Sequence, residues 1–535
     1  MQMRLFLWSV VAALAGFLFG FDTVVISGAE QTIQSLWNLT PGMHGIVMGS
    51  ALYGTVLGAV LGAWPTDRFG RKRTLLAIGA LYLVSAIWSA LAADPWSFVI
   101  ARFIGGLGVG ISTVAAPLYI SEIAPPDRRG RLAGMFQFNI VFGILVAFLS
   151  NWLIGRTGDD AWRWMMGSEA FPALIFAVAC LAIPESPRWL LSRGRLEEGM
   201  AVLRKIDPAA SEAAIRSTAD SIVQGSGQRA TRATGLWSAG LRKPVLLAFF
   251  IAFFNQLSGI NAILYFAPRI FGLTGSENAL GQSIGIGITN LVFTLAGLWL
   301  IDRIGRRTLL YIGSFGYIVS LGLCALAFFT WAGPFRAASG AVDVKAASAS
   351  LAAANPARQA ALAKELEQKK AALTTAAANP ASGIADPVIF PPAAPPAETE
   401  AIANRALEQA SSAAGVGGIM VLICIFAFIA AHAIGQGAVI WVYISEIFPD
   451  RCRAPGQALG SATHWVFAAL LTTVFPLMMA AFPPGMVFLF FCGMMVLQLL
   501  WVKLMVVETK GLPLEEVEAK LGLRRRAESL PASPS

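Results

Sequence analysis

Apolar residues along this chain come in long unbroken runs, where a soluble fold would show short alternations or one-sided stripes. A helix that crosses the hydrocarbon layer needs about 20 consecutive, mainly apolar residues. Twelve stretches meet that requirement, near residues 5–26, 46–66, 74–92, 96–119, 131–153, 164–183, 243–271, 281–301, 308–332, 415–444, 456–480 and 484–508. Backbone polar groups in lipid must be satisfied within the segment, so runs of this length predict helices. The pattern predicts an all-α membrane protein with twelve transmembrane helices. The first run has too few basic residues ahead of it, and no convincing cleavage site after it, for a removable signal peptide. It counts as a span.

The polar phrases between the runs repeat. DRFGRKRTLL (67–76) follows the second run and DRIGRRTLL (302–310) follows the eighth. PLYISEIAPPDRRGRLAG (117–134) follows the fourth, and VYISEIFPDRCRAPGQALG (442–460) follows the tenth. Each phrase holds the same place in a six-span half, on the same side of the membrane. That is a parallel duplication, the arrangement of halves that rock about a site held between them. Residues 1–183 form the first half. Residues 184–242 form a linker, in which LEEGMAVLRKI (196–206) has the spacing of a short amphipathic helix. Spans seven to nine occupy 243–334, spans ten to twelve occupy 413–510, and 511–535 is a tail. Between them, 335–412 is an Ala/Pro-rich insertion too polar to cross. Within it, 355–375 is rich in helix formers, which predicts a solvated helix between disordered arms.

Charge sets the orientation. Arg68, Arg71, Lys72 and Arg73 lie in one loop, Arg128, Arg129 and Arg131 in a second, and Arg303, Arg306 and Arg307 in a third. The alternate loops at 27–45, 92–97, 272–283 and 481–486 contain no Lys or Arg. Basic loops stay in the cytoplasm, so both termini are expected there and the insertion outside, in a bacterial inner membrane. The net charge of +9 follows from these loops and does not point to nucleic acid. Of the five cysteines, Cys180, Cys324, Cys424 and Cys492 fall in spans and Cys452 in a loop. That is neither a disulfide framework nor a zinc pattern. No nucleophile–base or metal constellation points to an enzyme, and no cofactor or metal is expected.

Glu122 precedes Arg129 by seven residues, and Glu446 precedes Arg453 by the same interval. Each glutamate ends a helix, where the macrodipole disfavours an anion and invites a cation. Asp67/Arg71 and Asp302/Arg306 add opposite charges on that face. Single surface pairs contribute about 0–1 kcal/mol, so only a network could hold the halves together inside. The alternative is a set of solvated charges that fix topology.

Ionisable residues inside spans cost about 2.5–3.5 kcal/mol on insertion scales and mark function. Asp22, in GFLFGFDTVVISG (16–28), and Arg102, in ARFIGGLGVG (101–110), are such residues. Burial disfavours a charged carboxylate and a neighbouring guanidinium favours it. Opposed effects of that kind make protonation sensitive to conformation; a static ion pair is the alternative. In the seventh run, NQLSGINAILYF (255–266) sets Asn255, Gln256, Ser258 and Asn261 around Gly259. Such side chains can simply bridge helices at about 0.6 kcal/mol each. Several amides about a helix-loosening glycine also suit a ligand rich in hydroxyl groups.

DRFGRK, PESPRWLL (184–191), QLSGINAILYFAP (256–268), DRIGRR and VETKG (507–511) together resemble the sugar porter family of the major facilitator superfamily, over all the chain except 335–412. The resemblance implies a cytoplasmic salt-bridge network of Arg71, Glu122, Arg129, Arg188, Asp302, Arg306, Glu446 and Arg453. It implies sugar contacts from Gln137, Gln256, Asn261 and Asn290, with Trp441 packed on the sugar. Proton-coupled members carry an aspartate at the position of Asp22, so Asp22 and Arg102 are read as the proton-coupling pair. Three departures bear on the substrate: Asn255 replaces a glutamine, His464-Trp465 replaces an amide-tryptophan pair, and His432 precedes the tenth-span break. Val507 stands where a proline is usual. The resulting expectation is H+:monosaccharide symport by alternating access, working as a monomer in the lipid bilayer. Facilitative sugar or polyol transport is the rival, and a transporter-like nutrient receptor a more distant one.

Overall fold

The computed structural model describes residues 3–125, 129–158, 160–229, 236, 241–353, 356–392, 394–449, 452–512 and 514–522. Among them there is no strand, and twelve helical segments are long and apolar enough to cross a membrane. In the first half these are α1 (Met3–Leu36), α2 (Pro41–Leu61), α4 (Arg71–Leu91), α5 (Pro95–Ile123), α6 (Arg129–Ile154) and the jointed pair α7 (Ala161–Ser168) and α8 (Ala170–Ala182). A short α3 (Ala63–Phe69) precedes α4. The linker holds α9 (Pro187–Ser192), α10 (Leu196–Ile206) and α11 (Glu212–Arg229), which share a small core of Leu191, Met200, Ile215 and Ala219.

The second half repeats the plan. Its seventh span is broken into α12 (Arg242–Leu257), α13 (Ile260–Tyr265) and α14 (Ala267–Gly272). Then come α15 (Ala279–Ile304) and α16 (Arg306–Thr330). After the insertion follow α20 (Gly417–Ile434), α21 (Gln436–Ile447), α22 (Arg453–Ala481) and α23 (Pro484–Met505), with α24 (Leu514–Lys520) in the tail. Outward-facing side chains such as Phe171, Leu181, Val292, Phe315, Ile423 and Leu504 are exposed and apolar, the surface that lipid covers.

The second span lies at 41–61, where the hydrophobic runs predict 46–66. Thr40 caps that helix by accepting from the Met43 N–H, and Pro41 occupies its first turn, so local chemistry outranks hydropathy in fixing the start.

The insertion corrects a larger expectation. In place of one solvated helix between disordered arms, α17 (Ala332–Ala353), α18 (Pro356–Ala377) and α19 (Pro396–Ala414) pack together. Ala337, Ala341, Val344 and Ala347 recur at helical spacing on α17, as Ile402, Ala403, Ala406 and Ala410 do on α19, and all are buried. Leu366 and Leu373 of α18 complete the core. The stripe is made of alanine, so its burial leaves almost no hydropathy signal. Lys345 of α17 pairs with Glu277 in the turn after the seventh span, which ties the insertion to the spanning helices.

The halves meet along α2 with α22 and along α6 with α15, while α1 meets α13 and α14. Tyr53 Oη and Thr473 Oγ1 bridge the first pair at 2.9 Å.

Candidate functional site

The break in the seventh span builds the polar cluster. Gly259 takes φ +88°, a backbone conformation that L side chains rarely adopt, so α12 stops and α13 starts in a new direction. The turn brings Asn261 back to Gln256: its Nδ2 donates to Gln256 Oε1 at 2.6 Å. Gln256 Nε2 donates to Asn255 Oδ1 at 2.9 Å and lies 3.1–3.2 Å from the ring nitrogens of His464. His464 packs between Trp441, tilted against it with ring centres 5.1 Å apart, and Trp465, edge-on at 4.7 Å. Phe19 of the first half closes on Trp465 at 5.5 Å. Amides and aromatic faces thus converge from α12, α13, α21 and α22, with α1 opposite, as a hydroxyl-bearing ligand with an apolar C–H face requires.

Two expected members stand apart. Asn290 is buried in α15 and accepts from Thr294 at 3.3 Å, and Gln137 is half-buried in α6. Neither hydrogen-bonds to the Gln256 cluster among the described residues. His432 is also outside it: its Nδ1 meets Tyr317 Oη at 2.7 Å, a bond that fastens α20 to α16.

Asp22 and Arg102 meet as expected. Both are buried, the Arg102 Nη1 pairs with Asp22 Oδ1, and Nη2 donates to the Asp22 carbonyl at 3.0 Å. A third ionisable residue, absent from the sequence reading, is Glu169 at the α7–α8 joint. It is 0% exposed, and the groups that act on it are the Asp22 carboxylate and the Arg102 guanidinium. An acid in the apolar run 164–183 carries the same cost argument as Asp22, and that was the available signal. Tyr265, from α13 of the other half, is buried within the field of the same two residues.

On the basic-loop face each glutamate meets an arginine from the start of another helix. Glu122 takes Arg71 Nε and Nη2, each at 2.9 Å, and the Ser186 hydroxyl at 2.5 Å. Glu446 takes Arg306 Nη2 at 2.8 Å and the Thr509 hydroxyl at 2.6 Å. Asp67 and Asp302 sit 3.2 Å and 3.1 Å from Arg71 and Arg306. Arg453 donates to the Ser445 carbonyl at 3.0 Å. The side chain of Arg129 lies outside the described residues, and Arg188 is exposed with no ion pair among them. A glutamate at a helix end meets the arginine that starts another helix in the same half, so tertiary packing outranks chain proximity.

Each bracket has a second acid beneath it. Glu185 accepts from the Arg71 and Lys72 N–H groups at 2.8 Å and 3.1 Å, and Glu508 from those of Arg306 and Arg307 at 2.9 Å and 3.0 Å. Both carboxylates sit at helix N-termini, where the macrodipole favours an anion. Gly70 and Gly305, with φ +95° and +94°, turn the chain into these helices. PESPR and VETKG are thereby equivalent pieces of the two halves.

The profile of the family described as "Sugar (and other) transporter" matches residues 8–349 and 401–521, skipping the middle of the insertion. The chain is 30% identical to the arabinose-proton symporter of Bacillus subtilis, over 95% of this chain and 93% of that protein. It is also 30% identical to the D-xylose-proton symporter of Escherichia coli, over 96% of this chain and 94% of that protein. The inward-open structure of the E. coli xylose transporter XylE is 28% identical, covers 96% of this chain and 98% of its own, and superposes with a TM-score of 0.70. With the duplicated brackets, the twelve spans and a family match at both ends of the insertion, this chain belongs to the sugar (and other) transporter family.

Proposed function

We propose that this protein is an H+:monosaccharide symporter, with pentoses as the first substrates to test, and that it carries its sugar between the halves by alternating access. One observation supports coupling above the others. The six-residue helix α13 holds both Asn261, bonded to Gln256, and Tyr265, buried within the field of Asp22 and Arg102. A ligand that shifts α13 is therefore felt at both sites.

The charge count supports proton uptake. Asp22, Glu169 and Arg102 sum to one net negative charge in a site sealed from water, and a single proton makes it neutral. We assign that proton to the Asp22–Glu169 pair as a unit, because two buried carboxylates share the charge of one guanidinium. Arg102 holds Asp22 through two contacts, so protonation of the aspartate loosens its hold on α5. Gln256, Asn261, Asn255 and His464 offer the hydrogen bonds to sugar hydroxyls, with Trp441 and Trp465 beside the C–H face. The basic loops support cytoplasmic termini.

In proteoliposomes under an imposed pH gradient, Asp22→Asn is expected to abolish sugar accumulation while sugar exchange at equal concentrations survives. Accumulation at the native level would refute the coupling. Thermal shifts with pentoses, hexoses and polyols identify the ligand, because a compound that binds only the folded state raises the apparent Tm.

A further inference from the structure

On the face opposite the basic loops, a second buried ion cluster joins the halves. Glu30, near the end of α1, is 0% exposed, and His44, in the first turn of α2, is 1% exposed. The Arg269 guanidinium, from α14 of the other half, reaches Glu30 Oε1 at 2.6–2.7 Å and also pairs with Gln34. His44 Nε2 lies 2.9 Å from the same oxygen, although its N–H is not aligned on it, and Glu30 Oε2 and His44 Nδ1 have no hydrogen-bond partner. The Glu30–Arg269 ion pair crosses between the halves. We propose that Glu30, His44 and Arg269 form a second proton-exchanging site, in which Arg269 of one half and a proton on His44 compete for Glu30 of the other.

The competition follows from charge balance in a closed site. With Arg269 docked, the Glu30 carboxylate is already neutralised, and a protonated imidazole would add an uncompensated charge away from water. When the halves part on this face, Arg269 leaves with α14, and Glu30 keeps only His44 beside it. One proton from the surrounding water then binds the imidazole and restores neutrality, and it returns to that water when Arg269 docks again. Opening on this face is thereby favoured by acid, independently of Asp22.

The neighbouring charges leave this balance intact. The stretches of α5 and α22 at this level, 95–101 and 466–481, contain no ionisable residue, and Asp94 is an exposed cap bonded to its own helix. α13 and its junction with α14 bring the Phe266 ring to His44, at 5.9 Å between centres. From the insertion, Asp343 of α17 acts on Arg269, and Lys369 and Glu365 of α18 act on Asp343. The insertion therefore adds one acid that acts on Arg269.

The proposal rests on the rocking of the halves, not on proton symport. Spin labels on Ser35→Cys and Asn278→Cys, exposed positions on opposite halves, report opening on this face, and the native cysteines are buried. Between about pH 8 and about pH 5.5, which brackets an ordinary imidazole, the long-distance population is expected to rise several-fold. His44→Gln, or His44→Asn if the first variant folds poorly, is expected to flatten that response. Arg269→Gln is expected to populate the long distance at both pH values, and Glu30→Gln to remove the pH dependence. Asp22→Asn is expected to keep the response, which separates this site from the proton-coupling site. A native-sized pH response in the His44 variants, or a closed Arg269→Gln protein at both pH values, overturns the proposal.

Discussion

On the basic-loop face the two halves carry the same bracket twice: an arginine that starts a helix, a glutamate from the YISEI phrase, and a hydroxyl from the end of the half. On the opposite face one arginine reaches across to one glutamate, and among the described residues nothing on that face repeats it. The repeated brackets close within a half, through Arg71–Glu122 and Arg306–Glu446, while Arg269–Glu30 spans the two. Bonds within a half keep a rigid body rigid, and a carrier that rocks must break bonds between bodies. Duplication therefore marks what stays constant through the cycle, and asymmetry marks what changes.

The two brackets are not equally buried, and that difference gives the largest expected effect. Glu122 and Arg71 are each 9% exposed at the side chain, whereas Glu446 is 28% exposed against 10% for Arg306. Removing one partner of a buried pair leaves the other charge stranded, at a cost of about 3–5 kcal/mol. Glu122→Ala is expected to approach that range in thermal unfolding of the purified protein. Glu446→Ala is expected to cost clearly less, because water already reaches its carboxylate. Equal losses would break the comparison.

Gly70 and Gly305 come next. Each adopts an extended backbone at positive φ that is essentially reserved for glycine, and a Cβ there would lie 2.3 Å from the Glu185 carboxylate or 2.6 Å from that of Glu508. Alanine at either position is expected to cost about 1–3 kcal/mol, and by similar amounts, because both the backbone and the acid beneath it are duplicated. A cost in one half alone would show that the two brackets are not equivalent.

Much of this was legible in the chain, and the failures have physical causes. Hydropathy found the twelve spans because lipid demands long apolar helices, and the repeated phrases found the two halves. The resemblance named Arg71 and Arg306 along with the two glutamates, but spacing along the chain does not say which arginine meets which glutamate, because helices that are distant in sequence meet at their ends. Glu30 and His44 were read as loop residues because α1 continues beyond its apolar run and α2 starts ahead of its own; Glu30 is paired by an arginine more than 200 positions away. Asp22 with Arg102 was legible because each sits alone in an apolar run. The folded insertion was not, because its core is mostly alanine.

Glu508 sharpens the comparison through pH. Burial alone would raise its carboxyl, but the N–H groups of Lys510, Arg306, Arg307 and Thr509 outweigh that and hold it below its ordinary value of 4.5. A carboxylate held low in the folded state binds its proton later than in the unfolded chain. Its stabilising contribution is therefore complete above about pH 4.5 and fades as the pH falls further. Glu508→Gln is expected to lower Tm at about pH 6 and to reduce the further loss on going to about pH 4. An unchanged acid response would remove Glu508 from the bracket.

The smallest effect belongs to Arg188. Family resemblance puts it in the network, but its side chain is exposed and makes no ion pair among the described residues. Surface substitutions away from caps and buried charges usually change stability by no more than about 0.5 kcal/mol. Arg188→Ala is expected to fall within that limit in thermal unfolding, beside the large loss from Glu122→Ala. The conformation in which Arg188 has a partner would be one where the halves close on the basic-loop face. If so, Arg188→Ala leaves Tm alone and changes only the distance between labels placed across that face. A loss of stability as large as that of Glu122→Ala would mean that Arg188 belongs to a bracket within its own half after all.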